Sequence, residues 1–224
     1  MKLTVPVFMS VNAGYVDTAG FLALQGLFTA HVTGNFVTLG ASLVLGSAGA
    51  AAKLAALPVF CAVIVSTRMF SFLLPGMGLP ILRTMLSIEL ALLAIGAVLA
   101  VQLGPFKQGG EIGMFITGMV LVSAMAIQNA ASRIHLGTAP PTTLMTGTTT
   151  QIMIDIADLI RGTTAEARIT ARARLEKMSA NVIGFALGCA AGAIVFARFG
   201  TWCFAVPPIF ALIPVLMPES RNDS

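Results

Sequence analysis

Long apolar stretches, broken by short polar or glycine- and proline-rich joints, dominate the chain. Hydrophobic segments fall at roughly 3–30, 36–52, 54–74, 81–103, 111–133, 146–160, 178–198 and 201–217. The joints lie at His31–Gly34, at Lys53, at Pro75–Pro80, at Gly104–Gly110, at Gly137–Thr143, across the charged stretch 161–177, and near Gly200. Apolar runs of about 20 residues match a hydrocarbon core about 30 Å thick. The pattern predicts membrane-spanning helices.

Two segments depart from it. Residues 36–52 are crowded with Gly, Ala and Ser, and residues 146–160 are rich in Thr and carry Asp155 and Asp158, three apart on one helical face. A carboxylate turned to lipid costs about 3 kcal/mol on insertion scales. Both segments are therefore expected as half-helices or re-entrant elements packed inside protein, where irregular backbone is tolerated. The expected fold class is all-α integral membrane. Six full spans (3–30, 54–74, 81–103, 111–133, 178–198 and 201–217) accompany the two short elements; eight spans is the alternative.

Composition narrows the class. Hydrophobic residues make up 57% and charged residues 10%, against about 25% charged in a soluble domain, so there is too little polar surface for a water-soluble globule. The net charge of +4 reports topology rather than nucleic-acid binding. With six spans, one side collects Lys2, Arg68, Arg83, Arg133, Arg161, Arg168, Arg172, Arg174, Lys177 and Arg221; the other keeps Lys53, Lys107 and Arg198. That split predicts both termini on the cytoplasmic side. Eight spans would split the charges less sharply. Residues 161–177 read as an amphipathic cytoplasmic connector whose basic residues meet anionic headgroups. Met1-Lys2 before an apolar run is expected to open an uncleaved first span, because Asn12 and Asp17 interrupt the run. Cys61, Cys189 and Cys203 each stand alone in apolar surroundings, so no metal, disulfide or cofactor is expected.

The chain also repeats. Thr33-Gly34-Asn35 and Thr146-Gly147-Thr148 each follow a long apolar segment with a polar pair, Val16-Asp17 in the first half and Gln128-Asn129 in the second. The two repeats, 1–105 and 106–224, form one membrane domain. Three spans per repeat bring the second in from the opposite side, giving inverted repeats as in many transporters; eight spans would give parallel ones.

The residues Ala13-Gly14-Tyr15-Val16-Asp17, Gly26-Leu27-Phe28 and Val32-Thr33-Gly34-Asn35 resemble the YoaK family of small bacterial membrane proteins, a domain of unknown function. Gln128-Asn129-Ala130 and Leu144-Met145-Thr146-Gly147-Thr148 follow the same pattern. The resemblance covers most of the chain and implies a multi-spanning bacterial inner-membrane protein. It brings no substrate or reaction.

Chemistry concentrates at the repeated positions. Asp17 lies about 21 Å into the first span, where a carboxylate must be paired, protonated or wet. Helical phase puts Gly14 and Gln25 on its side, a face suited to lining a cavity with Asp17 as a cation or proton site; a helix-capping or interhelical aspartate is the plainer alternative. Asn129 is its counterpart and Gln128 a neighbour, as site residues or as interhelical hydrogen-bonding groups. In the triplets, glycine permits a tight bend, and Thr33 or Asn35 can cap the helix that follows. A half-helix amino terminus at mid-membrane favours an anion. His31 and His135 stand at span ends; His31 can sense protons or simply mark the interface. Gly184, Gly188 and Gly192 form a GxxxGxxxG ridge for another helix or for a homodimer partner.

No Ser-His-Asp order, HExxH or phosphate loop is present, so a non-enzyme is expected. The leading expectation is a secondary transporter of a small polar or ionic solute, with Asp17 coupling and Thr33, Gly34, Asn35, Gln128, Asn129, Thr146, Gly147 and Thr148 around the solute. A channel-like facilitator and a non-transport scaffold dimerising through the glycine ridge are the alternatives.

Overall fold

The computed structural model describes residues 4–45, 49–106, 111–137, 140–143 and 145–217. Lys2, Lys107, Leu144, Arg221 and both chain termini, which entered the sequence reading, lie outside the described residues. Among the described residues there is helix and no strand. The helices are α1 (Val5–Ala23), α2 (Gly34–Leu45), α3 (Ala50–Leu73), α4 (Ile81–Leu103), α5 (Glu111–His135), α6 (Met145–Arg161), α7 (Ala165–Phe199) and α8 (Val206–Leu216), with 3₁₀ turns at Pro75–Met77 and Gly200–Ala205. Four stretches are long and apolar enough to cross a membrane: Ala50–Leu73, Ile81–Leu103, Glu111–His135 and the run Ala165–Leu216. The chain is an α-helical membrane protein.

The last run is two legs of a hairpin. Gly200 ends α7 at φ 56°, in the left-handed region that glycine enters without a Cβ clash. Glycines also fix how α7 meets α1. An ideal Cβ on Gly188 would lie 2.0 Å from the Val11 carbonyl oxygen, and one on Gly14 would lie 2.2 Å from that of Phe185. Gly184 faces Val7 and Val11, and Gly192 faces Tyr15. Residue numbers rise together along both helices, so α1 and α7 run parallel with their backbones in contact. On α8 the order reverses. The Tyr15 hydroxyl donates to the Cys203 carbonyl at 2.9 Å, while Met9 shares a cluster with Leu86 and Val215.

The glycine ridge is thus filled within the chain. It offers no surface for a second copy, which corrects the homodimer expected through Gly184, Gly188 and Gly192. Gly14 likewise lies against α7 rather than on a cavity face beside Asp17. Gln25 does not share that face either, because α1 has already ended. Gln25 and Gly26 take φ 54° and 81°, and the Gly26 amide bonds back to the Phe21 carbonyl at 2.9 Å, a left-handed helix stop. The expected span 3–30 is therefore a helix of 19 residues, about 28 Å long, followed by a loop.

That loop folds back into the molecule. His31 returns to Asp17, whereas Gly49, beyond α2, sits beside Gln25. So α2 starts level with the middle of α1 and climbs to the end at which α1 stops. α5 runs antiparallel to α1: Gly118 abuts Leu24 and Leu27, and Gln128 reaches the Met9 carbonyl. α4 and α8 are also antiparallel, with Gly104 against Thr201 and Leu86 with Val215. The helices pair as α1 on α7 and α3 on α5, α1 on α8 and α4 on α5, α2 on α3 and α6 on α7, with α1 meeting α5 and α4 meeting α8.

Three further expectations need correction. The short helices are not packed inside protein. On α2 only Asn35 and Ser42 are buried, and Val37 and Val44 are 76% and 85% exposed; on α6 only Thr148, Ile152 and Asp155 are buried. Helical backbone satisfies its own polar groups, so only the loops before these helices need protein around them. Residues 161–177 are mostly the start of α7, which runs unbroken for 35 residues. Lys53 is no joint: it lies in the first turn of α3, 4% exposed, and its ammonium donates to Ser42 Oγ at 2.8 Å.

Candidate functional site

Asp17 gathers the loop that follows its own helix. One carboxylate oxygen accepts the amides of Thr29 and Ala30, each at 2.8 Å, and of His31 at 3.4 Å. The Thr29 hydroxyl adds a fourth contact at 3.4 Å. The other oxygen meets His31 Nδ1 at 2.8 Å. With Asp17 4% exposed, these donors replace the water that a carboxylate would otherwise demand. Asn35 closes the same loop. Its side-chain oxygen accepts the Phe28 amide and its nitrogen donates to the Phe28 carbonyl, both at 2.8 Å. It clamps Phe28 instead of capping α2. The first amides of α2 are used locally: Gly34, Asn35 and Phe36 bond to the carbonyls of His31, Val32 and Thr33. Thr33 itself is exposed.

The second half repeats the geometry in milder form. Asn129 Nδ2 donates to the Thr143 hydroxyl at 2.7 Å, 14 residues on, the interval that separates Asp17 from His31. Gln128, fully buried, donates to the Met9 carbonyl at 3.0 Å and contacts the Thr142 hydroxyl at 3.4 Å. Asn181 of α7 donates to the Pro140 carbonyl at 3.1 Å. Thr146 and Gly147 are exposed and Thr148 is buried.

The two folded-back loops approach each other. The His31 ring bonds to Asp17, has the Thr143 main chain among its polar neighbours, and stands edge-on to Phe185, centroids 5.2 Å apart. The structure thus pairs Asp17 with His31, Gln128 with Thr142 and Asn129 with Thr143, partners outside the expected set, of which His31 stood out only as a histidine at a span end. Thr33, Thr146 and Gly147 stand at the exposed outer side of their helices.

Other polar groups lie apart from these loops. Asp155 is buried and bonds to Arg174, whose Nε donates at 2.8 Å, and to Gln151 at 2.9 Å, tying α6 to α7; Asp158 is exposed. Glu89 on α4 is 2% exposed and lies near Asn12 of α1. A lone acid inside the apolar run 81–103 was a signal available in the sequence.

Taken together, these features define an α-helical membrane protein with two fold-back loops, each held by buried polar side chains of the helix before it. The chain belongs to the family described as a protein of unknown function, DUF1275, which matches residues 5–217. No curated protein matches it, and no solved structure does.

Proposed function

We propose that the protein is a small-solute secondary transporter built from two inverted repeats, with the fold-back loops as its moving part. The observation that carries this reading is the matched pairing of helices in the two halves. Exchange α1–α4 for α5–α8 and the helix pairing is unchanged: α1 on α7 becomes α5 on α3, α4 on α5 becomes α8 on α1, and α2 on α3 becomes α6 on α7. The antiparallel course of α1 and α5 supports the inverted arrangement, because an intervening full span by α2 would make them parallel. The rise of α2 toward the end at which α1 stops supports the same reading. Six spans then accompany α2 and α6 as re-entrant helices, with both termini and residues 161–177 on the cytoplasmic side of a bacterial inner membrane. Broken helices meeting mid-molecule are the usual frame for solute and coupling-ion sites.

Asp17 serves as the anchor of the first loop, since its oxygens are already committed to Thr29, Ala30 and His31. Solute space belongs beside the loops, toward Thr33 and Thr146. Thr33→Cys and Thr146→Cys, probed with a membrane-impermeant thiol reagent, should label from opposite faces. Purified protein in liposomes should pass at least one of a panel of radiolabelled sugars, amino acids and organic anions faster than empty liposomes. Labelling from one face, or no flux above background across the panel, rejects the reading; flux indifferent to ion gradients makes the protein a facilitator.

A further inference from the structure

α1, α5, α4 and α8 close a ring, since α1 and α4 each pair with both α5 and α8. Across that ring α1 and α4 face each other and run parallel, because both are antiparallel to α5. On α4 this shows as Gly96 against Leu121 and Leu103 against Gly113. Met9 and Leu86 meet in one cluster. One helical turn further along each helix come Asn12 and Glu89, near one another. Asn12 lies about 10 Å into α1 and Glu89 about 12 Å into α4. Both are 2% exposed.

Neither side chain has the partners that burial demands. Both polar atoms of the Asn12 carboxamide are without a hydrogen bond, and no ion pair reaches Glu89 among the described residues. A carboxylate at mid-span must be paired, protonated or wet. The other titratable groups of the ring are spent or peripheral. On α1, Asp17 is committed to its loop and the Tyr15 hydroxyl to the Cys203 carbonyl. On α4 and α5, Arg83, Glu111 and Arg133 are exposed, and His135 ends its helix. The turn Gly200–Ala205 brings only the Cys203 thiol, and α8 carries no titratable side chain.

We propose that Glu89 is the proton-binding site of this protein and Asn12 its partner, at the centre of the ring where the two halves cross. This rests on the transport reading above and names its coupling ion. A carboxylic acid offers one O–H donor and one carbonyl acceptor, which complement the acceptor and the donors of a carboxamide. A carboxylate offers acceptors alone. Protonated Glu89 therefore suits both atoms of Asn12, whereas ionised Glu89 sets its charge against Oδ1. Binding takes one proton from water onto the carboxylate. Release returns that proton and leaves a charge that only a ring opened to water can hold.

Infrared spectra of the protein in lipid vesicles test the proposal without a solute. At neutral pH the wild type should show the C=O stretch of a protonated carboxyl, shifted by ¹³C-glutamate labelling and absent from Glu89→Gln. The band should move in D₂O as the proton exchanges, and fade reversibly in alkaline buffer. Asn12→Val should keep it at a higher frequency, because the hydrogen bonds to the carboxamide are gone. No such band, or one that Glu89→Gln retains, overturns the proposal. So does a band that neither exchanges nor titrates, which marks a purely structural acid, or one that Asn12→Val leaves unmoved. A band removed by sodium chloride at constant pH gives the site to a metal cation and overturns the proposal too. If Glu89→Gln does not fold, the ¹³C shift assigns the band, since Glu111, Glu166 and Glu176 are exposed. Failure here removes the proton site and leaves transport to be judged by flux.

Discussion

After α1, a carboxylate holds main-chain amides; after α5, two carboxamides hold hydroxyls. The turn is the same, and the donor–acceptor interval of 14 residues is the same for Asp17 with His31 and Asn129 with Thr143. The strength differs. Hydrogen bonds to a buried charge contribute about 1.5–3 kcal/mol each and neutral ones about 1. The first loop is also locked by Asn35 on Phe28, and the second by Asn181 on Pro140. The loop after α1 is therefore held by a charge and the loop after α5 by neutral groups.

The largest effect belongs to the seams. α1 meets α7 glycine to backbone, whereas α3 presents buried Ala52 and Ala56 in the seam region with α5. Gly188→Val would drive its Cβ into the Val11 carbonyl and should cost about 4 kcal/mol or more, seen as loss of the folded monomer in detergent gel filtration. Ala56→Gly should cost about 1 kcal/mol. A Gly188→Val protein as stable as wild type would mean that α1 and α7 do not pack as described.

Next come the anchors. Asp17→Ala strands buried amides and the His31 ring together, so a loss of about 3–5 kcal/mol is expected in thermal or denaturant melts. Asn129→Ala removes a hydrogen bond to a hydroxyl and should cost about 1 kcal/mol. Asp17→Asn keeps the shape and one acceptor oxygen; it should fold and still lose ion-coupled flux. Equal losses for the two alanine variants would erase the distinction between the charge-held loop and the neutrally held one.

Acidity offers a third way in. His31 sits in a loop outside the helices. Its hydrogen bond to Asp17 raises its pKa above the ordinary 6.5 despite opposing burial. A raised folded value adds stability that is complete below the unfolded pKa of about 6.5 and disappears as pH climbs through the folded value. The melting temperature should therefore fall from mildly acidic to alkaline buffer. In His31→Gln that slope should flatten. A wild-type curve that rises over the same range contradicts the ion pair.

Much of the fold was legible because spans are written in apolar length: α3, α4 and α5 start or stop within a few residues of the segments read from hydropathy. The fold-back was not, because the loop after α1 is itself apolar. Leu24, Leu27, Ala30 and Val32 are all buried, and hydropathy cannot separate a buried loop from one more helical turn. Gln25-Gly26 was the available stop signal. Beside the loops, Asp17, Gln128 and Asn129 stood out as polar groups in apolar runs. Thr142 and Thr143 looked like ordinary loop residues, since their importance comes from the approach of the second half. Glu89 and Lys53 were passed over for an opposite reason: single charges in long apolar surroundings were averaged away or assigned to a joint.

The smallest predicted effect tests the repeat most finely, because it turns on sign. Gly34 and Gly147 occupy matching places at the starts of α2 and α6. A Cβ on Gly34 would come within 2.9 Å of the Phe28 ring, whereas one on Gly147 would meet nothing within 4 Å. Phe28 has little room to retreat, since Asn35 grips its main chain from both sides and Phe21 lies on its ring at 4.9 Å. Gly34→Ala should therefore destabilise by about 1 kcal/mol, the lower range for overpacking. Gly147 lies in the first turn of a regular helix, where alanine is better than glycine by about 0.5–1 kcal/mol. Gly147→Ala should raise the melting temperature slightly. Two glycines that respond alike would mean that the loop after α5 is held as firmly as the loop after α1.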